Sequence, residues 1–230
     1  MLSYSAILAV TIPVYLTMAL GAVLRRKRIL PPEVDTGMMR LVVAVLSPCL
    51  ILDRIVGNKA VMSPLPVLIA ALLGFGLVAL GITVSWFTAP LAGLRVGGGR
   101  RTFAMSCGLQ NYGFIAIPIV TALFPDKGTM GVLFTFTLGV ELGCWICGVG
   151  TLTGFGNAPW RLALNPPVFA ILGGLVINFT GLHAWVPAAL ANTLNMIGDC
   201  AVPLAVILIG AAIADIWGQE KMSWPIALLS

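Results

Sequence analysis

Long apolar stretches alternate along the chain with short breaks of charge, proline and glycine. The breaks predict membrane spans near residues 4–24, 38–57, 65–90, 102–124, 130–152, 165–182 and 191–214, with an eighth beginning at Trp224 and cut off at Ser230. Each complete span is too long for a strand, lacks the alternation of a barrel strand, and can reach across a hydrocarbon core that takes about 20 residues of helix. The fold class is therefore an all-α polytopic membrane protein, with seven complete transmembrane helices and the start of an eighth. Span 1 has no Lys or Arg before it and no small-residue cleavage pattern after it, so it reads as a retained helix.

Composition agrees with the pattern: of 230 residues, 59% are hydrophobic and 9% charged, whereas a soluble domain carries about a quarter charged residues. Five cysteines are too sparse for a disulfide-stapled module. The charges also orient the spans. Arg25, Arg26, Lys27 and Arg28 follow span 1, Arg95, Arg100 and Arg101 follow span 3, and Arg161 and Lys221 follow spans 5 and 7. The loops after spans 2, 4 and 6 offer only Lys59, Lys127 and His183, with Arg54 near a helix end. The positive-inside rule then puts the N-terminus outside, in a multi-pass protein of the cytoplasmic membrane. The Arg25–Arg28 run reads as a topology signal or a nonspecific headgroup contact, in preference to a nucleic-acid or specific lipid site.

An internal repeat changes the picture further. Pro13 is followed by Pro31 and Pro48, and Pro167 by Pro187 and Pro203. In both copies a glycine (Gly21; Gly174) falls about two turns after the first proline, the second proline closes the loop, and the third lies inside the next helix. Span 1 thus corresponds to span 6. An odd number of spans separates the copies, so, unless the match is chance, the second runs through the membrane in the opposite sense. Inverted repeats of this kind build many secondary transporters, with the substrate site near the midplane. The chain divides into a first five-helix unit, 1–153, and an incomplete second one, 154–230.

Span 4 holds the densest candidate chemistry: Gln110, Asn111, Gly113 and Pro118 lie together near its middle. Pro118 removes a backbone donor and clashes with the preceding turn, and Gly113 tolerates dihedrals that other residues avoid. The expectation is a broken helix whose freed backbone groups, with the amide of Asn111, face a cavity. The alternative is a proline kink packed by neighbours, with amides bonding between helices. Glu141 is the one acid deep inside a span; it either relays a proton or holds a cation, or is a hydrogen-bonded structural acid. Asp199 reads as structural. Cys144 and Cys147 form a Cys-x-x-Cys within an apolar helix without a basic neighbour, which reads as packing. His183 has no cluster that would make a metal site. Gly97-Gly98-Gly99 lacks the ending of a phosphate loop and reads as a flexible connection. Gly74, Gly76 and Gly81 of span 3 are expected to serve close helix packing.

Asn111-Tyr112-Gly113-Phe114 with Pro118, followed by Pro125-Asp126-Lys127-Gly128, resembles the fourth helix of the auxin efflux carrier family. The resemblance extends to Asn165-Pro166-Pro167 and to Ala201-Val202-Pro203-Leu204 through Gly210-Ala211, and so spans essentially the whole chain. It implies a ten-helix carrier of two inverted five-helix repeats (5+5) with both termini outside. Helices 1, 2, 6 and 7 would form a scaffold that makes a homodimer; within the first unit, residues 1–60 supply scaffold helices 1–2 and residues 61–153 transport-domain helices 3–5. Broken helices 4 and 9 would cross at the substrate site. Stopping in span 8, the chain departs from that pattern and is expected to be a C-terminal truncation of it.

The expected function is a secondary transporter, or permease, that moves a small organic anion such as malate or another carboxylate by an elevator-type step. Substrate-binding residues would be Asn111, Gln110, Gly113 and Pro118, with Glu141 for ion or proton coupling. A sodium-coupled bile-acid-type symporter and a non-transporting membrane subunit are the alternatives. No cofactor, metal, nucleic-acid partner or enzymatic activity is expected, since an embedded enzyme needs clustered nucleophile–base pairs within the spans.

Overall fold

The computed structural model describes residues 4–109, 116–124, 127–153 and 165–216. The described part is helical throughout, apart from short turns and a small bridge at Arg95. Span 1 is α1 (Tyr4–Arg26). Span 2 is α2 (Asp35–Leu41), a π-helical turn (Val42–Leu46) and α3 (Ser47–Ile55), and span 3 is α4 (Pro64–Thr88). Span 4 is divided into α5 (Arg100–Gly108) and α6 (Ala116–Leu123). Span 5 is α7 (Lys127–Gly143), a second π-helical turn (Cys144–Val149) and α8 (Gly150–Thr153), and span 6 is α9 (Pro166–Phe179). Span 7 is α10 (Ala188–Gly198) and α11 (Ala201–Ile216). Among the described residues, Pro64–Ala92, Gly128–Thr153 and Ala188–Ile216 are long and apolar enough to cross a membrane.

The helices are built for lipid rather than water. In α4 the buried positions are Val67, Ala70, Gly74, Val78, Ile82 and Ser85, a stripe of mostly small or β-branched residues at helical spacing. Leu65, Leu68, Leu72, Leu80, Val84 and Phe87 are exposed. A soluble helix would carry charge there; here the outer face is more apolar than the inner.

Glycine notches set the closest approaches. A methyl group at Gly74 would lie 2.2 Å from the Phe136 carbonyl oxygen, and one at Gly139 would lie 1.7 Å from that of Ala71. Spans 3 and 5 therefore touch backbone to backbone. The same arrangement joins α1 and α11, through Gly21 against Ile207 and Gly210 against Met18. Gly76, by contrast, meets no neighbour within 4 Å among the described residues. The Gly97–Gly99 connection is a defined turn and not a loose one: Gly97 and Gly99 take left-handed φ values of 85° and 94°, and the amides of Gly98 and Arg100 both donate to the Arg95 carbonyl.

Two apolar cores result. The larger is built from spans 2, 6 and 7 with Val67 of α4 and Met130, Phe134 and Leu138 of α7. The smaller joins Val78 and Ile82 of α4, Ala104 of α5 and Val140 of α7. Two buried polar side chains tie the ends of the larger unit. Arg25 pairs with Asp35 and, at 3.1 Å, with Asp215, joining spans 1, 2 and 7. At the far end of span 6, the Asn178 amide accepts from the Gly57 N–H at 2.8 Å and donates to the Ile55 carbonyl at 2.7 Å.

Candidate functional site

The interruption of span 4 has a clear local cause at its first edge. Gly108 ends α5 against α4, where a methyl group would fall 2.6 Å from the Ile82 backbone. Leu109 then leaves helical geometry, with φ −92° and ψ 117°. Beyond it the described chain continues as α6 (Ala116–Leu123), which contains Pro118. Gln110, Asn111 and Gly113 lie outside the described residues.

The two half-helices pack on different cores. Ala104 and Leu109 of the first half belong with α4 and α7 in the smaller core, whereas Ile117 and Val120 of the second pack against the larger one. Between Leu109 and Ile117 the chain passes from one core to the other.

Span 5 backs this crossing. Val140 is wholly buried in the smaller core, and the next residue, Glu141, receives a hydrogen bond from Asn165 Nδ2 at 3.2 Å. Asn165 also caps α9: its Oδ1 accepts from the Val168 N–H at 3.0 Å, while Pro166 and Pro167 fill positions where a donor would have no helical partner. A carboxylate beside a helix N-terminus is favoured by the helix dipole. Glu141 thus connects the span 3–5 bundle to the start of span 6. The sequence reading placed Asn165 only as an opening residue of span 6, although an Asn before two prolines is an N-cap signal.

The remaining candidates fall into packing roles. Cys144 and Cys147 are free thiols within the π-helical turn of span 5. Asp199 lies where α10 meets α11 and pairs with Arg54 at 2.9 Å; Arg54 also approaches Asp53, which accepts from Asn195. Arg100 fixes the start of α5, its guanidinium 4.3 Å above the Trp86 ring and its Nε donating to the Trp86 carbonyl. Among the described residues no group of three or more His, Cys, Asp and Glu side chains converges as a metal site would.

The family model described as "Membrane transport protein" matches residues 6–148, from α1 into the second π-helical turn. No curated protein matches the sequence.

Proposed function

The chain belongs to the membrane transport protein family, which includes the auxin efflux carriers, and from that premise we propose that it is a secondary carrier of a small organic anion across the cell membrane. The observation that carries this reading is the interruption of span 4 at the boundary between two cores. Backbone groups freed at membrane depth need protein, water or a ligand to receive them. In this reading Asn111 and Gln110 add amide donors to that segment, Gly113 lets the backbone approach a ligand closely, and the N-terminal donors of the half-helix that holds Pro118 favour an anion. A carboxylate, with two acceptor oxygens and a negative charge, suits these donors.

The packing pattern supports an elevator-type step. Spans 3, 5 and the first half of span 4 share the smaller core, and spans 1, 2, 6 and 7 hold together through Arg25, Asn178 and the larger core, on which Val67 of span 3 and Met130, Phe134 and Leu138 of span 5 also pack. In this reading the first group moves against the second with the anion aboard. An inverted repeat is supported by reciprocal packing: α1 lies on α11, and α9 lies on α3. Swapping span 1 with span 6 and span 2 with span 7 exchanges those two contacts. Glu141 is the proton-coupling group of the proposal, because its bond to Asn165 links the two groups and would change as they move.

The test is uptake of radiolabelled malate and other dicarboxylates into proteoliposomes, with proton, sodium and potential gradients imposed one at a time. The account expects uptake driven by a proton gradient. Uptake that requires sodium would favour a sodium symporter, and no uptake of any carboxylate would overturn the proposal.

A further inference from the structure

We propose that the groove between α2 and α11, at the end of the molecule that carries Arg25–Arg28, binds an anionic phospholipid, with its phosphate on Arg40 and an acyl chain on the groove floor. The groove is a cavity of about 440 Å³. Thr36, Met39, Arg40 and Val43 form one wall, and Leu208 and Ala212 form the other.

Arg40 is the basic side chain among the residues that line the groove. Asp35, at its rim, is taken by Arg25, which also holds Asp215. Arg40 has neither an ion pair nor a hydrogen bond among the described residues. It stands five residues into the helix from Asp35, about 7.5 Å deeper at 1.5 Å per residue. A guanidinium at that depth is costly until its stem carries it to an anion at the headgroup level. Its planar fork fits two phosphate oxygens.

Polarity along the groove matches a lipid and not a free ion. Asp35 marks the outer end, Arg40 follows, and Val43 and Leu208 lie deeper, so the surface passes from charged to apolar in the order of headgroup to chain. Arg26, Lys27 and Arg28 stand exposed at the same end, which favours an anionic over a zwitterionic headgroup.

The test is native mass spectrometry of the purified protein titrated with phosphatidylglycerol or phosphatidylcholine. Phosphatidylglycerol should give a saturable adduct that phosphatidylcholine does not, and Arg40→Ala should weaken it about fivefold, the share of one basic residue near a membrane surface. Val43→Trp, which fills the floor without altering charge, should weaken it as well, and Arg28→Ala should weaken it less than Arg40→Ala does. Retention of the adduct in both Arg40→Ala and Val43→Trp would overturn the proposal. So would an equal loss in Arg28→Ala, which would mean a diffuse basic surface. Competition by glycerophosphoglycerol or inorganic phosphate would mean a free-anion site. Conversion of a dimer to a monomer by Val43→Trp with the adduct intact would mean that a second copy fills the groove.

Discussion

Spans 4 and 7 are broken by the same devices and end up differently. Each first half ends on a glycine pressed against a neighbour's backbone: a methyl group at Gly108 would lie 2.6 Å from Ile82, and one at Gly198 would lie 2.6 Å from Leu50. Each second half contains Ala-x-Pro, with Ala116 to Pro118 in α6 and Ala201 to Pro203 in the first turn of α11. In span 7 only Asp199 and Cys200 intervene, and they stay hydrogen-bonded to Asn195 and Ile197, so the span is kinked rather than parted. In span 4 Leu109 leaves the helix as an extended residue, and the described chain continues in α6 from Ala116. A glycine notch and a proline are thus enough for a bend, and span 4 adds to them an extended residue that precedes Gln110 and Asn111 in the sequence.

The largest expected effect is common to both spans. Gly108→Leu and Gly198→Leu should each cost about 3 kcal/mol of stability by overpacking, read as a fall in unfolding temperature in detergent. If only one of them destabilises the protein, the two notches are not equivalent. The next effect separates the spans. Asn111→Ala should lose about 2 kcal/mol of anion binding, roughly a thirtyfold rise in the half-saturating carboxylate concentration, whereas Asp199→Asn should leave uptake unchanged, because its exposed pair with Arg54 is worth at most about 1 kcal/mol. Glu141→Gln keeps an acceptor for Asn165 but cannot ionise; it should retain carboxylate exchange and lose the response to an imposed proton gradient. A full response in that variant would return Glu141 to a structural role. The smallest effect is at the proline. Pro118→Ala should cost about 0.4–1 kcal/mol, through the unfolded chain, and a collapse of folding or transport would show that the proline, not the segment before it, makes the break.

The spans were legible in the sequence because apolar runs and their breaks report directly on solvent. Azimuth was not: Gly74 and Gly76 look alike along the chain, yet one notches against Phe136 and the other meets no neighbour within 4 Å among the described residues. The kink in span 7 was hidden inside one uninterrupted apolar run, although Pro203 marked it. Arg25 was legible as a topology signal, but its burial between Asp35 and Asp215 depends on span 7 arriving beside span 1. The contact of Glu141 with Asn165 joins different spans and is likewise a product of packing. Local signals carried the interruption of span 4, and the two cores that it crosses became visible only in three dimensions.

The most direct test of the account is chemical access to the middle of span 4. With Cys49, Cys107, Cys144, Cys147 and Cys200 replaced by serine or alanine, Asn111→Cys would be exposed in proteoliposomes to a charged, water-soluble thiol reagent, with and without a transported carboxylate. The account predicts ready modification, slowed by the carboxylate. A thiol at 111 as inert as one placed at the wholly buried Val140 would contradict it.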